Sequence, residues 1–139
     1  GMARIQAVTA MTLDGFLPDN DNVSMQWVIN HKNGFPRWRE RCSAFILPHS
    51  ILDLLCEKDR RDDSFTYLAE IRDLESLELL RGLFHYNLVD ELIVYLLPYS
   101  IGQGISILDI YPARQWQLHK TASFSNGICR LIYRKPRKK

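Results

Sequence analysis

The stretch from Leu88 to Gly104 constrains the fold of this chain more than any other segment. An acidic pair precedes an apolar run over residues 92–97, and the run ends at Pro98 before a loop that contains Gly102 and Gly104. A strand that is apolar at every position is typical of a parallel sheet covered by helices on both faces. Loops that follow such strands are where α/β folds place their ligands. The stretch therefore predicts an α/β fold with a candidate binding loop after this strand.

Strand and helix patterns alternate along the rest of the chain. Apolar alternation or short apolar runs predict strands over residues 4–11, 44–47, 64–69 and 92–97, and a final pair of strands between Trp116 and Tyr133. Ser24, Ser50 and Asp73 are candidate N-caps of the intervening helices, and Asn87 is a candidate C-cap. The alternation predicts a central, mostly parallel sheet flanked by helices, closed by a C-terminal antiparallel hairpin. We expect one domain over residues 2–135 and a basic tail over residues 136–139.

The dipeptide Asn126-Gly127 lies between the last two strand patterns. It is a strong signal for a two-residue type I′ turn. Such a turn would place Phe124 opposite Cys129 and Ala122 opposite Leu131.

The composition excludes several classes of protein. No apolar run approaches the roughly 18 residues of a membrane span, and the start of the chain leads directly into strand-like sequence rather than into a signal peptide. The three cysteines have no metal-ligand spacing, and their odd number argues against a disulfide framework. We therefore expect a cytoplasmic protein with reduced thiols, without a membrane segment and without a metal site.

The formal net charge of +2 comes from the C-terminal end of the chain. Five of the 18 basic residues lie within residues 134–139, which leaves 13 basic against 16 acidic residues in the remainder. The body of the protein is therefore mildly acidic. The basic tail is predicted to be a solvated end, and contact with nucleic acid or phosphate through it is the less favoured alternative.

Four segments follow one another in an order that is typical of a known family. They are Met11-Thr12-Leu13-Asp14-Gly15, Leu83 with Leu88-Val89-Asp90-Glu91-Leu92, Pro98 with Gly102 and Gly104, and Asn126-Gly127 with Leu131 and Tyr133. In this order they resemble the dihydrofolate-reductase-like family, most of all the pyrimidine reductase domain of bacterial riboflavin synthesis. The resemblance implies an oxidoreductase that transfers hydride from NADPH to a pyrimidine- or pteridine-like heterocycle. It also implies a homodimer.

The resemblance assigns roles to individual residues. Thr12, Leu13 and Asp14 would border the substrate, with Asp14 as the catalytic residue that orients the heterocycle. Ser50, Gly102 and Gly104 would contact the cofactor. Two structural alternatives stay open: Asp14 could serve only its Asp-Gly turn, and the glycines could serve only a positive φ angle.

The chain also departs from the family at the expected cofactor site. The family's Gly-Arg-x-Thr turn is replaced by Pro48-His49-Ser50, and its Gly-Gly pair is replaced by Ala69-Glu70-Ile71-Arg72. Glu70 would repel a pyrophosphate, and no strand fits between Ser50 and Ser64. We therefore expect that NADPH binding is weak or lost.

Two functions of different classes follow from these observations. The favoured one is the heterocycle reductase. The alternative is a non-catalytic relative with an eroded cofactor site that acts as a small-molecule-binding or assembly protein. Asp90 and Glu91 are expected to be structural, because neighbours in a strand point to opposite faces of the sheet.

Overall fold

The structure is a computed structural model, and it describes residues 2–47 and 51–136. Its elements, in chain order, are β1 (Arg4–Met11), α1 (Val23–Asn30), α2 (Phe35–Arg41), β2 (Ala44–Phe45), α3 (Ile51–Glu57), β3 (Thr66–Ile71), α4 (Leu74–His85), β4 (Glu91–Leu96), β5 (Gln117–Ser123) and β6 (Cys129–Arg134). Short 3-10 turns at Lys58–Arg60 and Leu108–Ile110 complete the list.

The strands form one six-stranded sheet in the order β2-β3-β1-β4-β6-β5. The pairs β2–β3, β3–β1 and β1–β4 are parallel, whereas β6 runs antiparallel to both β4 and β5. The predicted fold class, a mostly parallel sheet flanked by helices with a C-terminal antiparallel hairpin, is confirmed.

Helices cover both faces of the sheet. Side chains alternate along β1, so that Ile5 and Ala7 pack with α3 and α4, while Val8 and Ala10 pack with α1 and α2. We call these the α3/α4 face and the α1/α2 face. Because β4 is covered on both sides, its residues from Leu92 to Leu96 are all apolar, as the sequence predicted. The buried positions of β1 include the polar residues Gln6 and Thr9.

The acidic pair at the start of β4 has structural roles. The Asp90 carboxylate accepts a hydrogen bond from the Ile5 amide at 2.8 Å. The Glu91 carboxylate is buried, accepts from the Gln6 amide nitrogen at 2.8 Å and pairs with Arg134 at 2.6 Å. The two carboxylates thus join β4 to β1 and β6.

Two predicted details of the first half of the chain are wrong. The helix α1 is capped by Asn22 rather than by Ser24, because the Asn22 side chain accepts from the amides of Ser24 at 2.8 Å and Met25 at 3.3 Å. The predicted buried strand over residues 44–47 is a two-residue edge strand, and Phe45 is 51% exposed. Among the described residues this strand pairs with β3 alone, so it has no second neighbouring strand there. The predicted caps at Asp73 and near Asn87 agree with the structure: Asp73 caps α4, and Asn87 follows the C-cap residue with a φ of +55°.

The predicted register of the hairpin is also wrong by one residue. Ser123, not Phe124, lies opposite Cys129. The connection is a three-residue loop over 125–127, in which the Phe124 amide donates to the Ile128 carbonyl at 2.9 Å and Gly127 has a φ of +89°. A type I turn followed by a glycine at positive φ competes with the two-residue type I′ turn for the same Asn-Gly signal.

Candidate functional site

The connections around β1 and β3 leave the sheet on opposite faces. After β1 the chain passes to α1, on the α1/α2 face, and after β3 it passes to α4, on the α3/α4 face. Because β1 and β3 are neighbours in the sheet, their carboxyl ends form a topological switch point, and we call the space outside these ends the crevice. Such switch points are where open α/β sheets bind ligands.

A tight turn follows β1 at one side of this crevice. The buried Thr12 hydroxyl donates to the Asp14 carboxylate at 2.5 Å and accepts from the Phe16 amide at 3.0 Å. Gly15 has a φ of +86°, and a Cβ atom there would lie 2.4 Å from a methyl carbon of Leu108. The backbone angle favours glycine at this position, and any larger residue would also have to displace the half-exposed side chain of Leu108.

Asp14 joins this turn to the glycine loop that follows β4. Its carboxylate accepts from the amides of Gly102 at 2.7 Å and Ile101 at 3.2 Å. The Thr12 hydroxyl bond, followed by the backbone amides of Gly102 and Ile101, holds the pKa of the exposed Asp14 carboxyl below its usual value against a smaller opposing effect of burial. The Asp14 carboxylate oxygens are therefore occupied by hydrogen bonds that hold the loop in position.

The glycine loop presents open backbone and apolar side chains at the crevice. Gly102 and Gly104 have φ angles of +79° and +146°, and no atom lies within 4 Å of a Cβ built at Gly102. Leu13 is 59% exposed, and Ile101 and Ile105 are also exposed. A flat apolar ring with polar edges fits such a surface, since apolar walls and a few positioned polar groups are typical of small-molecule sites.

The N-terminus of α4, at the other side of the crevice, is closed by the chain's own side chains. The Asp73 carboxylate accepts from the Ser76 amide at 2.8 Å and from the Ser76 hydroxyl at 2.7 Å. The Ser76 hydroxyl in turn accepts from the amides of Arg72 at 2.9 Å and Asp73 at 3.1 Å. The bonds from Ser76 hold the pKa of Asp73 below its usual value. A helix N-terminus that already carries a carboxylate is a poor site for a second anion.

Glu70, near the end of β3, is neutralised by arginines. Two nitrogens of Arg39, which lies in the last turn of α2, bond the Glu70 carboxylate at 3.0–3.3 Å. Arg72 approaches it at 3.5 Å. The sequence singled out Glu70 as an unopposed negative charge, but the fold brings Arg39 to it from 31 residues away, so that the repulsion of a phosphate is offset.

The structure brings most of the predicted site residues together. Thr12, Leu13, Asp14, Gly102 and Gly104 lie in two segments joined by hydrogen bonds at the crevice. Ser50 and His49 lie outside the described residues. Their roles stay predictions.

Within residues 2–47 and 51–136, no group of three or more histidine, cysteine or acidic side chains is arranged to hold a metal ion. In the same part of the chain, no helix has the length and apolar character needed to cross a membrane.

Comparison with known proteins identifies the fold. No protein-family model matches the sequence, and no curated protein matches it. Solved structures do. A deaminase and 5-amino-6-(5-phosphoribosylamino)uracil reductase from Thermotoga maritima has a TM-score of 0.60 at 14% identity over 96% of this chain, and this chain covers 56% of it.

Two other structures match over nearly their whole length. A pyrimidine reductase-like protein from Corynebacterium diphtheriae has a TM-score of 0.59 at 11% identity, with 98% of this chain and 93% of that protein covered. Dihydrofolate reductase from Enterococcus faecalis, in complex with NADP(H), has a TM-score of 0.57 at 11% identity, with 96% and 98% covered. The chain therefore has the fold shared by dihydrofolate reductase and the pyrimidine reductases of riboflavin biosynthesis.

Proposed function

We propose that this chain is a reductase-type domain that binds a pyrimidine- or pteridine-like heterocycle in the crevice at the carboxyl ends of β1, β3 and β4. The observation that carries the proposal is the Asp14 carboxylate, which joins the turn after β1 to the glycine loop after β4. It assembles an apolar rim and open backbone at the switch point of the sheet, where a small molecule is expected.

The residues of the crevice have different roles in binding the heterocycle. Thr12 and Asp14 hold the two segments in place, and Leu13 with Ile101 supplies apolar contact to the ring. Gly102 and Gly104 carry no side chain that would cover the loop backbone, so its groups other than the Gly102 amide, which is bonded to Asp14, can face the polar edge of the heterocycle. Asp14 thus orients the heterocycle by fixing the loop.

The residues at the α4 N-terminus do not fit the phosphates of a dinucleotide. Asp73 fills the position that an anion would take, and Glu75 adds a second acid in the first turn of the helix. NADPH supplies the hydride to a reductase when it is bound. We propose that NADPH binds weakly, with a dissociation constant above roughly 100 µM, equivalent to less than about 5.5 kcal/mol.

The alternative function is a non-catalytic relative that binds the heterocycle alone. The self-satisfied N-terminus of α4 favours it, since this arrangement excludes phosphate without disturbing the crevice beside β1 and β4.

Titration calorimetry with a dihydropteridine and with a diaminopyrimidine tests the proposal. Wild-type protein is expected to bind at least one of them, and Asp14→Ala is expected to weaken binding by tenfold or more, because the glycine loop loses its anchor. Asp21→Ala, at an exposed acid before α1, is the matched control. Binding that is equally strong in wild type and Asp14→Ala would contradict the site. Turnover with NADPH distinguishes the reductase from the non-catalytic relative.

We also propose that the chain forms a homodimer. Trp38 is buried in the core of the monomer, and Trp27 stacks on His31 with the ring centroids 4.6 Å apart. Exposed apolar side chains that could pack against a second copy include Leu118 on the outer strand β5, which is 51% exposed. Light scattering at micromolar concentration tests the proposal, and a monomeric mass would refute it.

A further inference from the structure

A cluster of basic side chains lines a cavity of about 250 Å³ on the α1/α2 face, between α2 and the strands β1, β6 and β5. We call it the basic trough. The cationic residues that line it are Arg4, Arg37, Arg41, Lys120, Arg130 and Arg134, together with His119. They come from one helix and three strands, so that no stretch of the sequence shows them as a cluster.

Two arginines lie near one indole at the floor of the trough. The guanidinium carbons of Arg37 and Arg130 are 5.6 Å and 5.7 Å from the ring centroid of Trp38. The Nε atoms of both arginines are buried, and neither has a hydrogen-bond partner among the described residues. Arg130 uses one terminal nitrogen on the Asn33 carbonyl at 3.3 Å. Buried donors without partners are uncommon in proteins, and a bound water or ion is one explanation for them.

The trough lacks the negative charge that would balance these cations. Among the residues that line it, Glu91 carries the only carboxylate, and that carboxylate is already bonded to Arg134 at 2.6 Å and to Gln6 at 2.8 Å. The pKa of the Arg37 guanidinium is lowered, first by burial and then by the neighbouring charges of Arg41 and Arg130. The protein therefore holds several like charges together without an internal partner.

We propose that the basic trough binds a small anion that carries two or more phosphate groups. Guanidinium groups present paired N–H donors that match phosphate oxygens, and five unbalanced cations suit a multivalent ion. The recessed shape favours a compact ligand over nucleic acid. Single-stranded nucleic acid needs exposed aromatic rings for base stacking, whereas Trp38 is 6% exposed and its indole nitrogen donates to the Tyr95 hydroxyl.

The trough is separate from the heterocycle crevice. Gln6 lies in the trough at the amino-terminal end of β1, and Thr12 follows the carboxyl end of the same strand. Six residues of extended strand separate them by about 20 Å. The binding of a polyphosphate to the trough therefore does not depend on the proposed heterocycle function.

Titration calorimetry with inorganic tripolyphosphate at low ionic strength tests the inference. The test variant is Arg37→Gln with Arg130→Gln. Its matched control is Arg60→Gln with Arg81→Gln, which removes two exposed positive charges outside the trough. Arg41→Gln is a third variant for the case that loss of the contacts to Trp38 disturbs folding, and thermal melting confirms that each variant is folded.

Wild-type protein is expected to bind one tripolyphosphate per chain. Affinity is expected to fall at least roughly tenfold for each arginine removed from the trough, to stay within about twofold in the control, and to stay unchanged in Gly102→Val, which alters only the crevice. Absence of binding, or an equal loss in the control, would overturn the inference. An affinity for single-stranded RNA that exceeds that for tripolyphosphate and rises with RNA length would also overturn it.

Discussion

The carboxyl-end crevice and the basic trough lie on the same sheet, but they differ in how their charges are satisfied. In the crevice, Asp14, Glu70 and Asp73 each bond to groups of the chain itself. In the trough, Arg37 and Arg130 present buried nitrogens without partners among the described residues. The crevice lies where an α/β fold is expected to bind a dinucleotide. The cationic nitrogens that have no partner among the described residues, however, lie in the trough.

The position of a site in a fold and its readiness to bind a charged ligand are therefore separate properties. A switch point provides space, but a charged ligand also needs groups whose hydrogen bonds and charges are not already used. The four predictions that follow test this contrast, starting with the one that has the largest expected effect.

Glu91→Leu would remove the acid that lines the trough. The free energy of unfolding is expected to fall by roughly 2–3 kcal/mol, because Arg134 and Gln6 lose their buried partner. Urea unfolding measures the change. The double variant Glu91→Leu/Arg134→Leu is expected to recover part of the loss, since the remaining charge is also removed. If Glu91→Leu also raises the affinity for tripolyphosphate severalfold, the trough has the unbalanced positive charge described above. Unchanged affinity would argue against the difference in charge balance between the trough and the crevice.

Gly102→Val would disturb the loop without a clash. A side chain at a φ of +79° is strained, whereas no atom lies within 4 Å of the added Cβ. The cost is therefore conformational, about 1–2 kcal/mol, and heterocycle binding is expected to weaken. Gly102→Asn is the control, because asparagine tolerates positive φ better than valine does. Equal costs for the two variants, measured by thermal unfolding, would argue that another effect dominates.

Asp73→Asn would open the crevice to phosphate. Asparagine still caps a helix, so the free energy of unfolding at neutral pH is expected to fall only by the part that the Asp73 charge contributes. Removal of one negative charge from a solvent-screened site is worth about 1 kcal/mol, or roughly fivefold in NADPH affinity. Glu70→Gly is expected to gain less, because Arg39 and Arg72 already offset that charge. Titration calorimetry with NADPH measures the affinity of both variants. Tight NADPH binding by the wild type would show that the crevice is not closed to phosphate.

Low pH is expected to lower the stability of the folded protein at the crevice, where Asp73 caps α4. The pKa of Asp73 is lowered in the folded protein by its bonds from Ser76, so its contribution to stability is present above the unfolded value near 3.9 and is lost as the pH falls below it. Urea midpoints at pH 7, 4 and 3 measure the loss. Asp73→Asn is expected to show a shallower decline below about pH 4 than the control Asp21→Asn, and identical profiles would contradict the assignment.

Local patterns predicted much of the fold. The apolar run of β4, the cap at Asp73 and the alternation of strands and helices follow from the period of apolar residues and from turn chemistry. The hairpin register was not predictable, because Asn126-Gly127 supports both a two-residue and a three-residue turn. The cap of α1 was ambiguous for the same reason, since Asn22 and Ser24 are both good caps.

The sequence by itself determined the sheet core, the helix faces and the two glycine segments of the crevice, because these depend on neighbours within a few residues. Which charged side chains are paired with one another depends on the tertiary structure alone. Arg39 reaches Glu70 across 31 residues, and Arg37 of α2 and Arg130 of β6 both approach the indole of Trp38. A charge acts over several ångströms of space regardless of chain separation, so which acids are neutralised and which arginines stay unpartnered follows from the packing of strands and helices.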